Sequence, residues 1–317
     1  MSAPRSKVLA AFAAVYLLWG STYLFIKYTV EAIPPLGMAG LRFLLAGLIL
    51  FGYGRLRGAA APRAEHWRAA ALVGVLLMVS NAGVAWSETR IPSGVASLLV
   101  AMTPCWMVLF DWAGARQRPP HPGVLAGLAA GVVGVVILIG PGNVRSGEGI
   151  DLLGAAVVLG GTVTWAFGSL YARRAPRPES AHLLSGMQMI AGGAVLSVLA
   201  LATGQWEGFS VADVPARAAW SFLYLLTFGS IVAFSAYMYL LTVSTPARVS
   251  TYAYVNPVVA VLLGWGFAGE ALTMRMGVAA AVIVGAVALI VTFGTSAAPG
   301  TARVHTDEVP AATTDSA

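Results

Sequence analysis

The polar side chains that this sequence places inside long apolar runs are few, and their types suit binding rather than bond making. Asn81, Gln188 and Asn256 bring amides, Trp19 and Trp165 bring flat aromatic faces, and Tyr23, Tyr237 and Tyr252 bring phenolic hydroxyls, with Ser169 close to Trp165. An amide in hydrocarbon is costly without a partner, so the three amides meet either a substrate or another helix. Aromatic faces accept apolar side chains and, through cation–π contact, an amino group. Tyr237 and Tyr239 stand two residues apart, as do Tyr252 and Tyr254, so at most one of each pair lines a common cavity. Pro104 and Pro257 each remove a helical hydrogen bond and free the carbonyl four residues earlier, that of Val100 or Ala253. Matching helix breaks in two halves point to a substrate site, and Met102 joins Pro104 there; a static kink that only shapes packing is the alternative.

No nucleophile with a base, no carboxylate cluster and no Cys/His group at metal-ligand spacing accompanies these residues. An enzyme is therefore not expected, nor a metal or cofactor. Ionisable groups, the usual markers of ion coupling in a membrane, fall at the ends of the apolar runs: Glu88, Glu270, Asp111, and Arg42 a turn or two inside. Glu88 reads as a solvated helix-end carboxylate, with a coupling site for a proton or cation as the alternative. None of His66, His121, His182 and His305 lies mid-run, which speaks against a histidine relay.

Positioning such groups is the task of the apolar runs, and composition says where those lie. Of 317 residues 58% are hydrophobic and 10% charged, against about 25% charged in a soluble domain, so most of the outer surface faces a lipid bilayer. Ten runs of roughly the 20 residues that cross a bilayer can be drawn: Val8 to Val30, Leu36 to Tyr53, Trp67 to Trp86, Gly94 to Ala113, Val124 to Gly140, Asp151 to Tyr171, Leu183 to Thr203, Ala218 to Leu241, Val249 to Ala268 and Met274 to Phe293. The first is a full span without a small-residue cleavage site, so it is a helix rather than a signal peptide. Residues 296–317 read as a disordered tail. On the N-terminal side lie 13 of the 19 basic residues, which puts both termini in the cytoplasm. The net charge of +6 is spread between apolar runs rather than gathered on one face, so no nucleic-acid partner is expected.

The two halves resemble each other. Adding 146 takes Trp19 to Trp165, Lys27 to Arg173, Gly40 to Gly186 and Gly47 to Gly193; adding 154 takes Pro92 to Pro246, Gly123 to Gly277 and Gly131 to Gly285, with Pro104 matching Pro257 after a one-residue gap. An odd number of helices per copy inverts the second copy. The expected fold is an all-α membrane protein of ten transmembrane helices, built as two inverted five-helix repeats, residues 1–145 and 146–295, around a central cavity. Gly123, Gly127 and Gly131, echoed by Gly277, Ala281 and Gly285, form small-residue faces for close helix packing. We place that packing within a monomer rather than across a dimer.

Several segments in this order resemble the EamA-type proteins of the drug/metabolite transporter superfamily: Trp19-Gly20-Ser21-Thr22-Tyr23, Pro34-Pro35, Ala39-Gly40-Leu41-Arg42-Phe43, Pro92-Ser93-Gly94-Val95-Ala96, Trp165-Ala166-Phe167-Gly168-Ser169, Ala236-Tyr237-Met238-Tyr239-Leu240, and Tyr252 to Ala260 with Glu270 beyond. The resemblance implies a bacterial inner-membrane exporter, similar to those that handle amino acids, including aromatic ones. Where the family often carries an acidic residue after span four, matching Glu270 after span nine, this chain has Arg116. The expected function is alternating-access export of small neutral or zwitterionic metabolites, amino acids first, through a wet and nearly uncharged cavity. An organophosphate or nucleotide-sugar exchanger, which needs cavity cations such as Lys27, Arg42 and Arg173, and a broad drug exporter are the alternatives.

Overall fold

The computed structural model describes residues 4–115, 121–140, 150–244, 249 and 251–294. Among these there are helices and turns and no strand. In chain order the helices are α1 Arg5–Val30, α2 Pro35–Leu56, α3 Ala64–Ser87, α4 Ser93–Val100, α5 Thr103–Ala115, α6 Pro122–Ile139, α7 Leu152–Arg174 and α8 Ala181–Ala202, followed by α9 Ala216–Tyr224, α10 Phe234–Val243, α11 Tyr252–Ala268 and α12 Met274–Gly294. A π-helical stretch, Leu225–Ala233, joins α9 to α10. With α4 and α5 taken as one span, and α9 to α10 as another, nine spans among the described residues are long and apolar enough to cross a membrane; α11, with a shorter apolar part Val255–Ala268, makes ten. Arg116 and the segment 296–317 lie outside the described residues.

Local signals set the helix starts. Pro35 and Pro122 occupy first-turn positions, where a missing N–H is no loss. Asp151 caps α7 by accepting the Gly154 N–H at 2.6 Å. That bond, with Arg90 at 3.2 Å, holds the Asp151 carboxyl below the usual carboxylate range. Gly269, in the left-handed region with φ 66°, ends α11, and the Glu270 N–H closes back on the Gly264 carbonyl at 3.1 Å.

The helices of the first half pack chiefly on those of the second: α2 on α8, α3 on α7 and α8, α1 on α11, and α6 on α12. Glycine permits the closest of these approaches. A Cβ on Gly47 would stand 2.6 Å from the Ile190 nitrogen, one on Gly193 2.5 Å from the Leu44 nitrogen, and one on Gly74 2.0 Å from the Gln188 carbonyl oxygen. The small-residue faces behave unequally. A Cβ on Gly127 would meet the Ala286 carbonyl of α12 at 2.8 Å, yet Gly277 and Gly285 have nothing within 4 Å. The stripe on α12 faces outward, and that helix packs instead through Ala279, Ile283, Ala286 and Ile290. Large apolar side chains such as Leu48, Val132, Val198 and Trp220 are more than half exposed on the outer surface, as lipid contact requires.

Gly74→Ala should lower the apparent thermal unfolding temperature in detergent, through roughly 1–3 kcal/mol of overpacking. Gly285→Ala, made in open space, should leave it unchanged. Equal unfolding temperatures for the two variants would contradict the backbone contact at Gly74.

Candidate functional site

One cavity lies between the halves, lined from α1, α2, α3, the α4–α5 junction and, across from them, α7, the π-helical stretch, α10 and α11. Its volume is about 70 Å³. A water needs roughly 10–15 Å³, so there is room for several waters and too little for an aromatic amino acid.

One wall is aromatic. The Trp19 ring lies 5.7 Å from Trp165 and 5.6 Å from Tyr252, edge-on to both, and 4.9 Å from Tyr237. Edge-to-face contacts at such distances hold the rings in fixed relative orientations. Trp19 Nε1 also donates to the Gly229 carbonyl at 3.2 Å. That carbonyl belongs to the π-helical stretch, where the i to i+4 pattern is given up. One turn nearer the N-terminus of α1, the hydroxyls of Tyr16 and Thr251 share a hydrogen bond at 2.5 Å.

Six of the predicted residues line the cavity: Trp19, Tyr23, Asn81, Trp165, Tyr252 and Asn256. The other cavity candidates lie behind its walls. Tyr237 is buried against Trp19, and its hydroxyl pairs with Ser169 at 3.0 Å. Gln188 is buried where α8 crosses Gly74 of α3. Met102 packs towards Gly131 of α6, and Pro104 and Pro257 are buried within their helices. The two prolines do not act alike. The chain breaks between α4 and α5 just before Pro104, whereas α11 runs through Pro257. The Val100 carbonyl that Pro104 frees is met by Thr103 Oγ1 at 2.7 Å, so it is satisfied within the chain.

The expectation of a nearly uncharged cavity fails at Arg42. Its side chain lines the cavity and is 2% exposed. One guanidinium nitrogen donates to Asn81 Oδ1, and the group lies over the Phe43 ring, 4.2 Å from its centre. Nε has no partner among the described residues. Asn256 Oδ1, on α11 and also in the cavity lining, is likewise buried and without a partner among the described residues. The start of α2 at Pro35 places Arg42 about two turns inside the helix, as its position in the second apolar run implied; what the sequence did not show is that it faces the cavity.

Glu88 is not solvated. It follows the last residue of α3, is 0% exposed, and neither carboxylate oxygen has a hydrogen-bond partner among the described residues. Lys27 Nζ donates to its backbone carbonyl at 3.1 Å. Burial holds the Glu88 carboxyl well above the usual range; the Glu270 carboxylate pushes the same way and Lys27 opposes. Glu270, from the second half, accepts the Ser93 and Gly94 N–H groups at 2.6 and 3.0 Å, so it caps α4 of the first half, where the helix dipole favours negative charge.

A helical bundle that crosses a membrane many times and holds a polar, aromatic-walled cavity between its halves is a multi-pass membrane transporter. The chain belongs to the EamA-like transporter family, whose profile matches residues 6–140 and 152–292. It is 39% identical to the inner membrane transporter YedA of Escherichia coli strain K12 over 287 residues, 89% of this chain and 90% of that protein. It is 27% identical to a probable terminal-alkyne amino-acid exporter of Streptantibioticus cattleyicolor, over 84% of this chain and 86% of that protein. A solved crystal structure shares the fold, with a TM-score of 0.64 at 20% identity, covering 93% of this chain and all of that one.

Hydrogen bonds to a charged group contribute roughly 1.5–3 kcal/mol. Glu270→Ala should therefore lower the unfolding temperature more than Glu270→Gln, which keeps one acceptor oxygen for α4. The opposite order in fluorescence-detected unfolding would show that the cap is not what Glu270 supplies.

Proposed function

We propose that the chain is an alternating-access exporter of amino acids, aromatic ones included, in a bacterial inner membrane with both termini cytoplasmic. The observation that carries this reading is the cavity itself: rings of Trp19, Trp165 and Tyr252 beside unpaired polar groups, drawn from both halves of the chain. Rings offer a face to an apolar or aromatic side chain, and the polar groups suit a charged head group. The terminal-alkyne exporter, 27% identical, is named for an amino-acid cargo, and YedA for the inner membrane.

A pair of inverted five-helix repeats supports alternation. Contacts are reciprocal when spans one to five are exchanged for six to ten: α3 on α7 answers α1 on the α9 to α10 span, and α2 meets its own counterpart α8. A cavity too small for its cargo is the contracted member of such a cycle, and entry requires the halves to part. A phosphate exchanger needs several cations in the cavity, and among the described lining residues Arg42 is the one cation.

Glu88 is the coupling residue of this reading. Buried beside Glu270 it keeps a proton, and when that end of the bundle opens to water it releases it. In proteoliposomes containing the purified chain, labelled L-phenylalanine should exchange against unlabelled phenylalanine, and the rate should depend on pH. Glu88→Gln, a permanent mimic of the protonated form, should exchange at a rate nearly independent of pH. Absence of exchange for every amino acid in a panel would end the amino-acid reading, and an unchanged pH profile in Glu88→Gln would remove Glu88 from coupling.

A further inference from the structure

Arg42 is a cation with no counter-ion among the described residues. It is almost wholly buried, makes no ion pair with any described residue, and lines the cavity. Of its five N–H donors, the hydrogen bonding among described residues uses one nitrogen, donating to Asn81 Oδ1, while Nε is unsatisfied. A buried charge left in this condition costs several kcal/mol, and such a cost at a membrane-embedded site marks function. The guanidinium is also held in place, with the Phe43 ring beneath it at 4.2 Å and the Asn81 amide at one corner. A planar fork fixed at one corner is shaped for a carboxylate, which it meets with paired hydrogen bonds. Lys27 offers no competing anion receptor, since its Nζ is engaged by the Glu88 carbonyl and it does not line the cavity.

The second half contributes the complementary group to the same cavity. Asn256 Oδ1, on α11, is a buried acceptor with no partner among the described residues, whereas Arg42 is on α2, in the first half. An acceptor there suits an ammonium, which has three donors and no acceptor. We infer that Arg42 is the receptor for a carboxylate of the cargo and Asn256 for its ammonium, so that one zwitterionic head group bridges the two halves of the transporter.

This assignment rests on the amino-acid reading only for the ammonium; the carboxylate arm stands without it. It excludes simple amines as cargo, which the aromatic wall alone would admit, and so separates this chain from a general exporter of cationic drugs.

The test is ligand-induced thermal stabilisation of the purified full-length chain, with 3-phenylpropionate, phenylethylamine and L-phenylalanine as probes. Phenylpropionate and phenylalanine should stabilise the protein saturably, and phenylethylamine should not. Arg42→Gln should weaken both carboxylate probes by about 10- to 100-fold, the effect of losing hydrogen bonds to a charged group, and Arg42→Lys should recover part of the loss. Asn256→Ala should weaken phenylalanine but not phenylpropionate. Phenylethylamine binding as well as phenylpropionate, or Arg42→Gln binding phenylpropionate within about twofold of the parent, overturns the carboxylate site. Equal weakening of both acids in Asn256→Ala overturns the ammonium arm. If Arg42→Gln does not fold, the acid and amine comparison on the parent chain decides alone. If phenylpropionate binds and no amino acid is exchanged in vesicles, the amino-acid reading falls while the carboxylate site stands.

Discussion

In hydrocarbon every backbone N–H and C=O must find a partner inside the protein, because no water is there to take its place and each orphan costs several kcal/mol. Most of this structure follows that rule by being helical. Its informative places are those where the helix gives way and a side chain from elsewhere takes over. Thr103 answers the Val100 carbonyl at the break before Pro104, Trp19 answers Gly229 in the π-helical stretch, and Glu270 answers the first two N–H groups of α4. Two of these three partners link the first half of the chain to the second. Repairs that let irregular backbone exist at membrane depth therefore help to join the halves, and two of the three, at Val100 and at Gly229, lie on the cavity wall.

The cavity's electrostatics follow from the same scarcity of partners. Where polar groups pair with one another, as Ser80 with the Gly161 carbonyl or Tyr237 with Ser169, they tie helices together and are closed to a ligand. Where they have no partner among the described residues, as at Arg42 Nε and Asn256 Oδ1, they are buried and left chemically open. A transporter needs both kinds. Paired groups set the walls, and unpaired ones give a solute a reason to enter a space that otherwise favours only apolar matter.

Much of the fold was legible in the sequence because a span is read from length and apolarity alone, and boundaries such as Pro35, Pro122 and Gly269 carry their own local signals. The aromatic wall was partly legible as well: Trp19 and Trp165 stand mid-span in a sequence whose other tryptophans mostly fall near helix ends. Illegible features depend on what covers a residue. Glu88 looks like any helix-end acid, yet the folded chain buries it completely and sets the Glu270 carboxylate, far along the sequence, near enough to act on it. Arg42 and Gln188 are matched by the internal offset of 146, yet one lines the cavity and the other is buried in a helix crossing. Pro104 and Pro257 are similarly matched and differ in outcome: the chain breaks just before the one, and α11 runs through the other. Which groups lie around each proline is not a local property.

The cap on α4 has a bearing on how the chain comes to be assembled. Ser93 and Glu270 are separated by 177 residues. Spans four to nine must all be synthesised before the N-terminus of α4 receives its carboxylate, and until then those N–H groups depend on water or lipid headgroups at the membrane surface. The first half thus enters the bilayer with its end piece unfinished, and its final shape is set late, when the ninth span arrives. The α4 cap is a contact that the first half cannot complete from its own residues.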